Sequence, residues 1–284
     1  MKMFRRCFLQ VGALVFVIAA LALSAQAENF SEASLKGSYS FMINKWTADV
    51  GRNQYAMVGV MKFDGAGNVT GSGTQVGGGA SESGDVSGTY TVNSDGTGVM
   101  ELTNALWKPP TNQFTFVLNS ATTVAHGFQF VQTDNGNNVV ISGSALLLSA
   151  NPETYSVASV NGTFAFQSNK WTADVNTDEQ GGIGVLTFDG KGNLTGSLTN
   201  VDQGVVYNLA LSGTYTVNAD GTCSASLVVS NLGGTPTFAC ALNSWTLLGG
   251  AKGIQLVVTN PGASGTDNST NYVITVNAVK QNGQ

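Results

Sequence analysis

The chain contains one long internal repeat. A shift of 125 residues aligns 28–103 with 153–228 without a gap, and 37 of the 76 positions are identical. The longest identical block with charged residues is Asn44 to Val50, which returns as Asn169 to Val175. A repeat of this length gives each copy enough chain for its own core, since a domain of that size buries about two-thirds of its surface. The sequence therefore predicts two similar domains in tandem.

The first 27 residues have the pattern of an export signal. Lys2, Arg5 and Arg6 precede an apolar stretch over 11–23, and Ala25-Gln26-Ala27 fits a cleavage site. The repeat begins directly afterwards, so we expect a signal peptide at 1–27, a first domain at 28–152 and a second at 153–284. The expected location is secreted, periplasmic or cell-surface by the Sec route. The paired arginines leave the twin-arginine route as the alternative.

Composition argues against several kinds of partner. Charged residues make up 10% of the chain, the net charge is −5, and no basic residues cluster. Nucleic acids and anionic membrane surfaces attract proteins through clustered Lys and Arg, so neither is an expected partner. Beyond the leader, no segment has the ~20 apolar residues of a membrane helix. We expect no metal or cofactor, since histidine occurs once and no metal-ligand motif is present.

Alternating side chains indicate strands throughout. Around 36–46, Tyr39, Phe41 and Ile43 share one face of an extended chain, whereas Ser38, Ser40 and Asn44 share the other. Gly, Asn and Asp punctuate such stretches and mark turns. The expected fold is all-β: two tandem eight-stranded antiparallel up-and-down barrels of calycin or avidin type. An open two-sheet sandwich shows the same alternation, and one sixteen-stranded membrane barrel is a further alternative.

Two cysteines, Cys223 and Cys240, lie beyond the leader. The alternation places both thiols on the apolar side of neighbouring strands, and an exported protein meets oxidising conditions, so we expect a disulfide. The first copy has Gly98 and Phe116 or Thr115 in their place and must hold without a cross-link. The loops 64–68 and 189–193 are expected to be tight turns rather than calcium sites, because one carboxylate per loop is too few.

The repeated block Asn-Lys-Trp-Thr-Ala-Asp-Val is the first candidate binding site. Lys45, Trp46 and Asp49 could line a barrel mouth and accept a sugar ring or a small amphipathic ligand. Their counterparts in the second copy could do the same: Lys170, Trp171 and Asp174. The structural alternative is that the Trp caps one barrel end while the Lys and the Asp pair across the turn.

Two further features suggest contacts. Trp107 stands beside two prolines in a loop of the first copy, where it could hold a ligand or pack against the other barrel. We also expect the two barrels to touch, with the outward residues Val58, Val60, Ile183 and Val185 supplying the contact. The possible external partners are a small molecule, a glycan or a surface.

The block from Lys45 to Gly51, followed by Val69-Thr70-Gly71-Ser72, resembles the first two strands of avidin-type biotin binders. That resemblance implies an eight-stranded barrel. Ala48, Arg52 and Gly73 stand where the family has biotin-contacting residues, so it does not imply biotin binding. The repeated Phe-Asp-Gly-x-Gly-Asn and Ser-Gly-Thr-Tyr-Thr-Val-Asn runs resemble tandem-repeat exported proteins of soil bacteria, a group that implies fold and location but no activity.

Residues suited to catalysis are few. The single histidine, His126, has Lys252 as its counterpart, and no nucleophile motif or phosphate loop occurs. We therefore expect an exported, non-catalytic binding or surface-interaction module. The alternatives are a small-barrel enzyme of the cyclase or isomerase type and a purely structural envelope or matrix protein. A structural role predicts barrels filled by Phe41, Phe63, Tyr90 and Phe116, whereas ligand binding or catalysis requires a partly polar interior.

Overall fold

The protein is described by a computed structural model for residues 29–47, 54–77, 80–107, 110–119, 124–134, 139–149, 154–172, 180–230, 234–243, 251–260 and 272–281. Its strands form two closed antiparallel barrels in simple up-and-down order. The all-β tandem-barrel expectation is therefore confirmed, and both the sandwich and the single sixteen-stranded barrel are wrong.

Barrel 1 consists of β1 Lys36–Thr47, β2 Tyr55–Asp64, β3 Asn68–Gly77, β4 Ala80–Val92, β5 Thr97–Asn104, β6 Thr111–Leu118, β7 Gly127–Gln132 and β8 Val139–Ser149. Barrel 2 consists of β9 Asn161–Thr172, β10 Gln180–Asp189, β11 Asn193–Asp202, β12 Val205–Val217, β13 Thr222–Val229, β14 Thr237–Asn243, β15 Gly253–Asn260 and β16 Tyr272–Lys280. A short 3₁₀ helix precedes each barrel, η1 Glu32–Ser34 and η2 Val157–Ser159.

The tight turns form as the sequence predicts. Gly96 adopts φ +84° and donates its N–H to Asn93 O at 3.0 Å, which closes the β4–β5 hairpin. At the β2–β3 turn, Asp64 Oδ1 accepts from the N–H groups of Ala66 at 2.7 Å and Asn68 at 3.0 Å. The Asn68 side chain and these N–H groups lower the pKa of the Asp64 carboxyl. The carboxylate is thus occupied by its own turn, and Asp189 repeats the arrangement.

Strand pairing decides which side chains enter each barrel. Tyr39, Phe41 and Ile43 of β1 face inward and are fully buried, and the matching inward set of barrel 2 includes Phe164 and Phe166. Cross-strand partners share one side of a sheet, so the same parity extends around each ring of strands. The expected aromatic core therefore lies inside the barrels.

The disulfide between Cys223 and Cys240 is present, as the sequence predicts. The two residues are direct register partners on β13 and β14, with Cα atoms 4.7 Å apart. The register partners at the same place in barrel 1 are Gly98 and Phe116. A Cβ added at Gly98 would overlap Phe116 Cζ, so the Phe ring lies directly on the glycine. A ring on a glycine thus takes the place of the cross-link.

The two barrels contact each other. Val58 and Val60 point outward from β2 yet are only 2% and 7% exposed, because β14, β15 and β16 of barrel 2 cover them. This part of the expected contact is confirmed. The other part is wrong: Ile183 is 64% exposed, since barrel 2 contributes its last strands rather than β10.

Candidate functional site

One end of barrel 1 is capped and apolar. The Tyr90 hydroxyl donates to the carbonyls of Leu35 at 2.8 Å and Glu32 at 3.1 Å, which fixes η1 across the opening. Leu35 is fully buried beneath it, and the Tyr39 hydroxyl donates to Ala125 O at 2.8 Å. Barrel 2 has the same cap, since the Tyr215 hydroxyl donates to Val160 O at 2.8 Å. A ligand has no access to the interior from this end.

The middle of barrel 1 is filled by aromatic rings. The Phe63 ring meets Tyr39, Tyr90 and Phe128 at centroid distances of 5.5, 5.2 and 5.5 Å, mostly edge to face. The Phe41 ring covers Gly59 and Gly73, whose added Cβ atoms would lie 2.9 Å from it. Tyr90, Phe63, Phe41 and Phe116 are all buried, so the filled core expected for a structural role is present in this part of the barrel.

The opposite end of barrel 1 has a different lining, which we call the polar end. The C-terminal ends of β1, β3, β5 and β7 and the N-terminal ends of β2, β4, β6 and β8 lie at this end of the barrel. Strand pairing turns a set of mainly polar side chains inward at this level: Lys45, Tyr55, Gln75, Glu82, Asn104, Asn112 and Gln132. Polar groups inside a barrel cost free energy unless they have partners, so this lining requires an explanation.

Asn104 and Trp107 are held by the chain between β5 and β6. Asn104 is 1% exposed, and its Oδ1 accepts from the Leu106 N–H at 2.7 Å. The backbone N–H of Trp107 donates to the backbone carbonyl of Asn104 at 3.1 Å. The Trp107 ring lies 6.0 Å from the inward Phe114 ring. Trp107 is 5% exposed. The turn thus fixes one amide and one indole inside the polar end.

A second group joins β6 and β7. Gln132 Nε2 donates to Asn112 Oδ1 and to Asp134 Oδ1, both at 2.8 Å. Asp134 Oδ2 accepts from the Gln113 N–H at 2.7 Å, so the carboxylate is fixed from two sides. The Gln132 side chain is therefore held in one orientation.

Four buried polar atoms of the polar end have no hydrogen-bond partner among the described residues: Gln75 Oε1, Asn104 Nδ2, Trp107 Nε1 and Gln132 Oε1. Two are donors and two are acceptors. An unsatisfied buried polar group costs about 1–3 kcal/mol. The four lie at one end of a barrel whose middle is apolar, which is the arrangement of a site that receives a polar ligand.

Charge at the polar end is balanced. The Lys45 ammonium lies 4.9 Å from the centre of the Tyr55 ring, within cation–π distance. Burial raises the pKa of the Tyr55 hydroxyl, so that group stays neutral at ordinary pH. Glu82 lies on the inward register of β4 but is exposed. The described inward lining thus has one cation and one carboxylate, and the Asp134 carboxylate beside it already accepts from Gln132 and Gln113. This arrangement gives no preference for a strongly charged ligand.

Barrel 2 has a different lining at this end. Register pairing places Val229 where barrel 1 has Asn104 and Val258 where it has Gln132. Asn200 replaces Gln75 and donates through Nδ2 to Gln180 Oε1 at 3.1 Å. Lys170 faces inward opposite Gln180. The inward amides on β5 and β7 are therefore particular to barrel 1, whereas β9–β11 of barrel 2 carry inward polar residues at this end as well: Lys170, Gln180, Asn200 and Asp202.

The repeated Lys-Trp block is divided between two environments. Lys45 and Lys170 face the barrel interiors, as a mouth position requires. Adjacent residues of a strand face opposite sides, so Trp46 and Trp171 point outward, and their rings meet across the barrel contact at 6.3 Å. The tryptophans therefore neither line nor cap a mouth. Asp49 and Asp174 lie outside the described residues.

Sequence reasoning placed Trp107 among the candidates but did not single out Gln75, Asn104 or Gln132. Isolated Asn and Gln residues belong to no motif. The available signal was the repeat itself, because inward positions that are amides in the first copy become Val229 and Val258 in the second.

No protein-family model matches this chain, and no curated protein matches it. The solved structures that are similar to it include the following two. A protein of unknown function from the DUF3598 family of Nostoc punctiforme is 12% identical, with a TM-score of 0.26, over 88% of this chain and 98% of its own. Kievitone hydratase from Nectria haematococca is 10% identical, with a TM-score of 0.27, over 91% of this chain and 95% of its own. Neither likeness assigns a ligand or a reaction to this protein.

One expectation requires correction. The sequence was interpreted as that of a non-catalytic protein, but kievitone hydratase is by its name an enzyme, so the expectation that this protein is not an enzyme is withdrawn. The sequence resembles tandem-repeat exported proteins and, locally, avidin-type binders. The structure confirms the tandem-barrel architecture that these resemblances imply. In the part of the chain that the structure describes, no helix is long and apolar enough to cross a membrane. The disulfide is consistent with export.

Proposed function

We propose that the polar end of barrel 1 binds a small neutral molecule with several hydroxyl or amide groups and one apolar face, such as a sugar ring. The observation that carries this proposal is the set of four unpartnered buried atoms, Gln75 Oε1, Asn104 Nδ2, Trp107 Nε1 and Gln132 Oε1. A hydroxyl both donates and accepts, so a polyol can satisfy two donors and two acceptors together. The Trp107 and Tyr55 rings supply apolar surface beside them.

The filled middle of the barrel sets the depth of the site. The Phe114 ring lies 5.6 Å from that of Phe130, and both side chains are buried below the amides. A long acyl chain therefore finds no room along the barrel axis. The site suits a compact molecule held at one end.

The experiment is a calorimetric titration of the purified chain with a library of neutral mono- and disaccharides and polyols. Two variants remove one unpartnered atom each. Gln75→Met keeps side-chain length, and Trp107→Phe keeps an aromatic ring but not the indole shape. Each is expected to weaken the Kd of any binder about tenfold, since one hydrogen bond contributes about 0.5–1.5 kcal/mol. Gln75→Met should change the stability of the free protein little, because the removed oxygen has no partner to lose. Trp107→Phe should lower it by about 1–3 kcal/mol through lost packing, so affinities are compared at a temperature where both variants are fully folded.

The matched control is Gln113→Met, on β6, whose exposed side chain faces out of the barrel. Its affinity should equal that of the unmodified chain. Absence of binding across the library, or equal weakening by all three variants, would contradict the proposal. The ligand recovered after long incubation is analysed by mass spectrometry, because a bound substrate would be converted and a stored ligand would return unchanged.

A further inference from the structure

The contact between the two barrels joins two different surfaces. Barrel 1 contributes the outward side chains of β1–β3, which we call a front face. Barrel 2 contributes the outward side chains of β14–β16, which we call a back face. These side chains are buried although they point away from their own barrels: Ala56, Val58, Val60 and Val76 on the front face, and Ala241, Gln255, Val257, Val273 and Thr275 on the back face.

Since the barrels are copies, each has both faces, and one of each is left uncovered. The uncovered back face is that of barrel 1, on β6, β7 and the start of β8, whereas Ser144 and Leu148 further along β8 belong to the existing contact. Register pairing makes Val117, Val131 and Val140 the counterparts of Ala241, Val257 and Val273. These three residues are 47%, 43% and 56% exposed. Val140 pairs with Trp46 just as Val273 pairs with Trp171.

The uncovered front face is that of barrel 2, on β9–β11. Ile183, Val185 and Val201 are the counterparts of Val58, Val60 and Val76. Ile183 is 64% exposed and Val201 is 44% exposed, whereas their counterparts in barrel 1 are 2% and 5% exposed. The same kind of side chain is therefore buried in one copy and left in water in the other.

Both uncovered faces lack charge. The outward side chains of β10 from Gly181 to Thr187 and of β11 from Thr195 to Val201 are Gly, Ile, Val, Thr and Ser, and the charged Asp189 lies beyond them at the hairpin turn. Those of β6, β7 and the start of β8 include Thr115, Gln129 and Ser142. Gln129 is the counterpart of Gln255, which donates to Ser144 Oγ at 3.4 Å in the existing contact. Exposed apolar side chains without charged neighbours mark interaction surfaces.

We propose that a second copy of this chain docks here, its barrel 2 front face on the barrel 1 back face, repeating the internal contact between molecules. A contact between two unlike surfaces leaves one of each at the ends, so it continues from chain to chain until a ring closes or a filament grows. The proposal is independent of the polar end and of any ligand there. The internal contact is strengthened by the short linker, so the contact between chains is the weaker of the two.

The test is sedimentation velocity of the purified two-barrel chain over a concentration series. The unmodified chain is expected to form assemblies that grow with concentration. Ile183→Lys blocks the front face and Val140→Lys blocks the back face, so each variant alone should sediment as a monomer. Both positions are exposed, and unchanged circular dichroism and melting temperature confirm that the fold is kept. Val228→Lys, at an exposed position on β13, is the control and should assemble like the unmodified chain.

A mixture of the two blocked variants distinguishes this geometry from a symmetric dimer. Each variant keeps the face that the other has lost, so an equimolar mixture should form dimers and nothing larger. A chain that stays monomeric at every concentration would overturn the proposal. So would a symmetric dimer, in which one of the two substitutions has no effect and the mixture forms no mixed dimer.

Discussion

The two barrels stabilise one register position in different ways. In barrel 1 the Phe116 ring covers Gly98 and lies 5.6 Å from the Phe128 ring. In barrel 2 the same pair of positions is the disulfide Cys223–Cys240, and the described ring contacts of that core are confined to Phe164, Phe188 and Tyr215. Barrel 1 therefore relies on packed rings, whereas barrel 2 combines fewer rings with a covalent link. One fold accommodates both solutions because the position faces inward in each.

The largest expected effect is at Phe116. Phe116→Ala should destabilise barrel 1 by about 3–5 kcal/mol, since it removes a buried ring and leaves a cavity above Gly98. Hydrogen exchange resolved to each barrel measures it. Barrel 2 should keep its protection, and equal loss in both barrels would show that their stabilities are not separable in this way.

Removal of the cross-link should act on the other barrel. Cys223→Ala with Cys240→Ala is expected to lower the stability of barrel 2 by about 3 kcal/mol, because the bond closes a loop of 17 residues. Urea unfolding followed by hydrogen exchange measures the change, and barrel 1 serves as the internal reference. Unchanged unfolding of barrel 2 would mean that its core does not depend on the bond.

The counterparts Val58 and Ile183 compare a covered and an uncovered face. Val58→Ser should cost about 1.5–3 kcal/mol, because a buried apolar side chain is replaced by a hydroxyl without a partner. Ile183→Ser should change stability by less than about 0.5 kcal/mol at concentrations where the chain is monomeric. Thermal unfolding measures both, and equal effects would contradict the asymmetric contact.

Alkaline pH should affect barrel 1 through its buried tyrosines. Burial raises the pKa of the Tyr39 and Tyr55 hydroxyls, for Tyr39 with a smaller contribution from Tyr90. Stability from a raised pKa is fully present below the unfolded pKa of about 10 and is lost as the pH rises above it. Tyr55→Phe should therefore lose less stability than the unmodified chain between about pH 8 and about pH 11. Tyr207→Phe, at an exposed position, is the control. Identical pH dependence in all three chains would be inconsistent with a raised pKa of the partly buried Tyr55.

Much of the fold follows from the sequence because its signals are local. Alternation around Tyr39 and Phe41 identifies the inner face of β1, and the same parity places Cys223 opposite Cys240. The barrel contact depends on which outer faces meet, and Val58 and Ile183 are equally apolar in the sequence, so nothing local distinguishes the covered one.

The candidate site was only partly predictable. Trp46 was a mouth candidate because it belongs to the repeated block with Lys45 and Asp49. Adjacent strand residues face opposite sides, however, and the Trp46 ring belongs to the barrel contact. The amides of Asn104 and Gln132 become neighbours only when β5 and β7 join the same closed ring. These two amides are specific to barrel 1, because barrel 2 has Val229 and Val258 at the same inward positions.

The indole N–H of Trp107 offers the most direct test of the polar end as a binding site. The chain has four tryptophans, so its indole resonances are few, and Trp107→Phe assigns the relevant one in a proton–nitrogen correlation spectrum. Titration with the neutral carbohydrate library is expected to shift the Trp107 resonance in a saturable way while those of Trp46 and Trp171 stay in place. A Trp107 resonance that does not move with any compound, or that moves only together with that of Trp171, would contradict a ligand site inside barrel 1.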